Sequence, residues 1–266
     1  MELVQYQVDA FADRLFAGNP AAVVPLEAWL PDGLMQAIAA ENNLSETAFL
    51  VPDGGGWGLR WFTPLAEVDL CGHATLASAH VLYRHRGVDL PELAFATRSG
   101  TLRVRRDGDG YLMDFPARRP RPVAVPPGLA AAVGATPNEV LMDGDLLAVF
   151  EDEATVRALA PDTAALLALP GRGLVVTAPG QRHDFVSRFF VPRVGVPEDP
   201  VTGSAHCLLA PYWAARLGRD ALRAFQCSRR GGEVGCTVRG DRVLLSGTAR
   251  TFMTATLHLD PPDRTG

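Results

Sequence analysis

The stretch "RFFVPRVGVPEDPVTGSAHCLLAPYWAARLG" (residues 188–218) decides the fold, because it repeats an earlier one. Its counterpart is "RWFTPLAEVDLCGHATLASAHVLYRHRG" (residues 60–87). Each copy opens on an arginine, bulky residues and a proline: Arg60 to Pro64, and Arg188 to Pro192. After a short insertion in the second copy, Gly72-His73-Ala74 falls on Gly203-Ser204-Ala205. In that same register Gly87 falls on Gly218, and "TRSG" (97–100) falls on "SRRG" (228–231). Several coincidences in one register indicate a duplicated unit.

The local reading of the two copies agrees. An extended apolar segment runs to the proline, a loop of small residues follows, and then a helix begins. Both helices close on basic residues and a glycine, a C-terminal signal. Pro211 either kinks the second helix or sits near its first turn. Short alternating strands come next, with turns at Asp107-Gly108-Asp109-Gly110 and Arg239-Gly240-Asp241. "ATLASAHVL" (74–82) and "AHCLLAPYWAA" (205–215) are apolar nearly all round, as expected of a helix wrapped by its own sheet. The Pro-rich connection "PARRPRPVAVPPG" (116–128) reads as semi-rigid and places a boundary near 118. The expected organisation is an N-terminal half, 1–118, and a C-terminal half, 119–251, with the functional cleft between them. Residues 252–260 read as a last strand returning to the first half.

Composition bounds the function. With 266 residues, 47% apolar and 21% charged, the chain fits an ordinary globule with a real core. A net charge of −5 argues against a basic nucleic-acid surface. There is no run of the ~18 apolar residues that a membrane span needs. The first residues, "MELVQYQVDAF", alternate like a strand and carry an acid at position 2, unlike a signal peptide. The four cysteines, Cys71, Cys207, Cys227 and Cys236, are unevenly spaced, and a reduced cytoplasmic protein is the expectation. All 25 basic residues are arginine. Without lysine there is neither a Schiff base to a carbonyl group nor a P-loop.

The helix starts carry the candidate chemistry. A helix N-terminus has unpaired N–H groups and a partial positive charge, and glycine there admits a ligand close to the backbone. Gly72-His73 and Gly203-Ser204 open the two helices. If both starts face one cleft, they bind a carboxylate. Ordinary capping by Ser or Thr is the competing reading for one copy alone; the duplication favours the anion site. Cys71 precedes the first helix, where a thiol is acidified and can act as base or nucleophile. Its counterpart is Thr202, so a two-thiol pair is incomplete, and a buried unreactive cysteine is the favoured reading. Asp199 is held extended by Pro200 and either orients a substrate amine or His73, or is a solvated turn residue. Glu46, in "AENNLSETAFLV" (40–51), precedes a buried strand. A carboxyl at the edge of a core, where desolvation favours the neutral acid, suits proton shuttling. Pattern alone makes Glu46 equally a surface residue beside a helix end. His80, His85 and His258 read as structural or exposed. His206 and Cys207, with Cys227 and Cys236, have no zinc spacing, so no metal is expected.

Four segments then add a resemblance. "VDAFADRLFAGNPAAVV" (8–24), "LSETAFL" (44–50), "FTPLAEVDLCGHATLA" (62–77) and "EDPVTGSAH" (198–206), in this order, resemble the phenazine-biosynthesis PhzF-like isomerase family. The resemblance implies a diaminopimelate epimerase-like fold. That fold is α+β, with two pseudo-symmetric halves, each a mostly antiparallel, barrel-like sheet around a central helix. It also implies a homodimer and an isomerase without cofactor or metal, which moves a proton between carbons of a small carboxylate. In the founding member the substrate is trans-2,3-dihydro-3-hydroxyanthranilate. By resemblance Glu46 matches the proton-carrying glutamate, His73 the active-site histidine, and Asp199 and Ser204 the family's aspartate and serine. Gly72 and Gly203 match its backbone donors. Two other functions compete. One is an epimerase or racemase using Cys71, against which Thr202 stands. The other is a non-catalytic small-acid binding protein, against which the intact Glu46, His73, Asp199 and Ser204 stand.

Overall fold

Side-chain alternation turns one face of each strand inward after the two long helices. Leu93 and Phe95, and likewise Leu222 and Ala224, are buried between exposed or half-buried neighbours. The computed structural model describes residues 1–260. Its first elements are β1 (Glu2–Ala10), β2 (Asn19–Pro25), α1 (Asp32–Asn42), β3 (Glu46–Asp53), β4 (Gly56–Phe62) and β5 (Glu67–Val68). Then come α2 (Gly72–His85), β6 (Glu92–Thr97), β7 (Gly100–Asp107), β8 (Gly110–Pro116), β9 (Arg121–Pro122) and α3 (Leu129–Val133). β10 (Glu139–Asp143), β11 (Asp145–Val149), α4 (Glu153–Ala158), α5 (Thr163–Leu166), β12 (Leu174–Pro179) and β13 (Phe185–Val191) follow. The last are β14 (Val196–Asp199), α6 (Gly203–Leu217), β15 (Ala221–Gln226), β16 (Gly232–Arg239), β17 (Arg242–Gly247) and β18 (Ala249–His258). Among these residues no helix is long and apolar enough to cross a membrane.

The strand pairings of the first set recur in the second. β1–β2 and β3–β4 are antiparallel while β2–β3 and β4–β6 are parallel. In the second set β10–β11 and β12–β13 are antiparallel while β11–β12 and β13–β15 are parallel. β6–β7–β8 and β15–β16–β17 are antiparallel meanders. A parallel pair needs a crossover, and each one here spans a helical connection: α1, α2, α4 with α5, and α6. The sets join through β8 against β17. β9 pairs with β10, and β18 pairs with β1. The chain therefore ends each set with a strand laid on the first strand of the other. β18 begins at Ala249, ahead of the 252 read from sequence, and the Pro-rich connection contains β9 rather than running free.

α2 is buried from His73 to Tyr83, and α6 from Ala205 to Pro211 and at Trp213 and Ala214. Both belong to one apolar core that runs through the two sets. Smaller cores lie under α1 and under α3, α4 and α5. Helix ends follow the sequence: Gly218 caps α6 at φ 66, and Gly87 adopts the same φ just past α2. Pro211 sits inside α6, where its missing N–H leaves the carbonyl four residues earlier without a donor. That carbonyl, on Cys207, accepts instead from the N–H of Arg118 at 3.0 Å. The connection between the sets is thus pinned to the middle of the second helix.

Candidate active site

The starts of α2 and α6 abut. A Cβ built on Gly72 would lie 3.5 Å from the Cα of Gly203, and one built on Gly203 would lie 3.6 Å from the Cα of Gly72. Neither start is capped by its own side chain. Asp152 and Asp162, ahead of α4 and α5, do cap theirs. The competing capping reading therefore fails at both positions. The hydroxyl of Thr202 donates to Asp199 instead, and that of Ser204 accepts from Arg172 Nη2 at 3.0 Å. The first-turn N–H groups stay available, with two helix dipoles converging on one point.

This point lies on the wall of a cleft of ≈ 490 Å³. All six site residues expected from sequence line it: Glu46, Gly72, His73, Asp199, Gly203 and Ser204. Phe115, Phe189, Val191 and Val196 supply apolar wall. Glu46 opens β3, and its Oε2 lies 3.0 Å from His73 Nε2. Its side chain is only 18% exposed, so it is not a surface residue beside a helix end. His73 is buried in the first turn of α2.

Asn19 wires the other side of the imidazole. Its Nδ2 lies 3.2 Å from His73 Nδ1 and donates to Asp199 Oδ1 at 2.8 Å and to Val201 O at 3.0 Å. The two amide hydrogens go to Asp199 Oδ1 and Val201 O, which fixes Asn19 beside the imidazole, while His73 Nε2 faces Glu46. Gln226 completes the frame. Its Nε2 donates to Asp199 O at 2.7 Å and its Oε1 accepts from Thr202 N–H at 2.8 Å. Asp199 therefore reaches His73 through Asn19, and it is no solvated turn residue.

Burial sets the electrostatics. Burial disfavours a charged imidazole, but Cys71 and Glu46 together more than offset it and hold His73 well above its usual value. Burial, with Glu46 adding, pushes the Cys71 thiol up to about 11. Cys71 is thus a neutral thiol near pH 7. Of the two readings of Cys71, the buried unreactive cysteine is the one this environment fits: desolvation outweighs the helix dipole. Ligand-type atoms of Glu46, Cys71 and His73 lie within 4.8 Å of one another. A soft divalent cation fits such a set only by displacing the thiol proton.

Burial also pushes Asp199 up to about 6, with His73 opposing and Glu46 adding. The folded protein then holds this proton more tightly than an unfolded chain with the ordinary value of 3.8. The group's contribution is present below about pH 4 and lost as pH rises through about 6. Asp199→Asn is therefore expected to gain on the order of 1–3 kcal/mol relative to the parent between pH 4 and pH 7.5, while losing activity. Urea unfolding of both proteins at the two pH values checks this; an equal difference at both would refute it.

Asn19 and Gln226 were missed from sequence. Asn19 lies within a segment that carried the family resemblance, whereas Gln226 had no signal beyond its strand. His80, bonded to Tyr111 Oη and Thr251 Oγ1 at 2.9 Å each, lies at the far end of α2. His206 is fully buried, and burial pushes it down to about 4. The sequence reads His80 as structural or exposed, and its two bonds hold it; for His206 it gives no reading beyond the lack of a zinc spacing.

Comparison with known proteins follows the same lines. Residues 8–255 match the family model PhzC-PhzF, described as "Phenazine biosynthesis-like protein". An uncharacterized isomerase of Pseudomonas aeruginosa is 61% identical over 97% of this chain and 100% of its own length. A crystal structure of a phenazine biosynthesis protein of the PhzF family from Enterococcus faecalis superimposes with a TM-score of 0.96 at 48% identity, covering 97% of this chain and 100% of that one. A hydroxyproline epimerase from Agrobacterium vitis, at TM-score 0.64 and 12% identity over 98% of this chain and 94% of its own, shares the fold. A family match over nearly the whole chain and close relatives of full length place the protein: it belongs to the PhzF-like, phenazine biosynthesis-like family.

Proposed function

We propose that the protein is a cofactor-independent isomerase that moves a proton between two carbons of a small unsaturated carboxylate. One observation carries this reading: a half-buried carboxyl, Glu46, stands 3.0 Å from His73 in the same cleft where two uncapped helix starts meet. The substrate carboxylate sits on the N–H groups of Gly72 and Gly203, with Ser204 beside it. The carboxylate of Glu46 takes the proton from one carbon. The electron pair left behind delocalises toward the substrate carboxylate, where the two helix starts stabilise the developing charge. Glu46, now the acid, returns the same proton to another carbon, and enzyme and charge are restored. His73 Nε2–H holds the Glu46 carboxylate in place, and Asn19 and Asp199 hold the imidazole.

The reading includes a division into halves 1–118 and 119–251, which the recurring strand pairings support, with the cleft between them. On the family resemblance it extends to a homodimer, which light scattering checks. A two-base reaction with Cys71 is disfavoured, because the thiol is held protonated and its counterpart is Thr202. The test is incubation with trans-2,3-dihydro-3-hydroxyanthranilate and related small unsaturated acids in D2O. Isomerised product with deuterium exchange in competition with internal return is the expected result. Wild-type protein that neither isomerises nor exchanges any of these acids would overturn the reading.

A further inference from the structure

The cleft is also lined by two arginines, Arg118 and Arg172, and Arg172 Nη2 donates to Ser204 Oγ at 3.0 Å at the start of α6. Both are held by one carboxylate, Asp145, whose side chain is 1% exposed. Arg118 Nη1 donates to Asp145 Oδ2 at 2.8 Å; Arg172 donates through Nε to Oδ1 and through Nη2 to Oδ2, both at 2.9 Å. A buried carboxylate needs a partner, but one guanidinium neutralises it. Asp143 offsets little of the excess. It lies 3.9 Å from Arg118 Nε, is 41% exposed, and already accepts the Arg119 N–H at 3.0 Å.

Backbone and packing fix both side chains. Arg118 is anchored by its N–H to the carbonyl that Pro211 frees. Its guanidinium packs over Gly144, where a Cβ would fall 2.8 Å from Nη2. The Arg172 N–H donates to Gly144 O at 3.0 Å, and its guanidinium lies 5.3 Å from the ring centre of Phe189. Each guanidinium carries five donors in a rigid fork. Among the described residues, Arg118 Nη2 and Arg172 Nη1 have no hydrogen-bond acceptor. A pre-oriented, charged fork with spare donors, in a cleft whose helix starts already serve one carboxylate, has the chemistry of a second anion subsite.

We infer that the substrate is a dianion: a small unsaturated acid whose second carboxylate is bound by Arg118 and Arg172, apart from the carboxylate at Gly72 and Gly203. This rests on the isomerase reading for the first carboxylate and adds the class of molecule that reaches it. Arg172 sets specificity and takes no part in the proton transfer.

The test is calorimetric binding of three inert probes to the intact protein: benzoate, benzene-1,3-dicarboxylate and benzene-1,4-dicarboxylate. At least one diacid is expected to bind about tenfold or more tighter than benzoate, and Arg172→Gln to remove that preference while leaving benzoate within about twofold. Arg118 still pairs Asp145 in this variant, and thermal melting verifies its fold. Arg172→Lys, which keeps charge but not the fork, retains part of the preference. Glu46→Gln retains all of it. Diacids that bind no tighter than benzoate overturn the inference and leave the proton-transfer reading standing. So does an Arg172→Gln protein that loses benzoate as strongly as the diacids, because Arg172 then serves the carboxylate at the helix starts. A persistent diacid preference in a protein that exchanges no deuterium has the opposite meaning. Failure of all three acids to bind overturns both.

Discussion

On the proposed mechanism, Glu46→Gln is expected to lower isomerisation and deuterium exchange on the order of 10²–10⁴-fold, the range for loss of a positioned proton carrier, with the fold intact. The amide is nearly isosteric and keeps an oxygen at the 3.0 Å contact with His73 Nε2. It cannot hold a transferable proton, so both steps of the shuttle are lost together. A second readout separates this from a structural defect. His73 is held high against burial by Cys71 and Glu46 together. With the Glu46 contribution removed, the imidazole should titrate lower, which NMR of the histidine ring detects. Turnover that survives the change, or a His73 titration that does not move, would remove Glu46 from the mechanism.

Gly203→Ala is expected to separate stability from function. The added Cβ would meet Gly72 Cα at 3.6 Å and Leu245 Cδ1 at 3.7 Å, both ordinary contacts. Alanine is also the better helix residue, by roughly 0.5–1 kcal/mol. Melting temperature should therefore hold or rise. On the proposed binding mode the methyl crowds the meeting point of the two helix starts and holds a ligand carboxylate off their N–H groups, and weakened donation to a developing anion is expected to cost on the order of 100-fold in turnover. Gly72→Ala, facing the same point from α2, should behave alike; its Cβ would meet Gly203 Cα at 3.5 Å and Phe115 Cζ at 3.7 Å. Thermal melting and carboxylate binding on the same samples decide the matter. Full binding by either variant would show that the helix starts do not hold the ligand.

These expectations depend unequally on sequence and structure. The repeat around 60–87 and 188–218 was legible because duplication leaves a common register. The buried helices were legible because a helix enclosed by a sheet is apolar on every side. The glycine starts were legible for the same local reason, since a helix boundary is written in adjacent residues. Glu46 was not: its pattern fitted a surface residue equally well, and only the family resemblance singled it out. Cys71 carried two readings because the helix start is adjacent in sequence, whereas the desolvation that decides for the unreactive thiol comes from distant packing.

By itself the sequence determined the mixed α+β character, the two inward helices, their glycine N-termini and the absence of lysine. All of these follow from periodicity, composition and short-range boundary signals. Only the tertiary structure decided that the two starts touch, that Glu46 meets His73, and that Asn19 reaches Asp199 across 180 positions of chain. It also decided that one buried aspartate gathers Arg118 and Arg172 into the cleft. Desolvation and charge pairing act through space, and the partners that set them lie far apart along the chain.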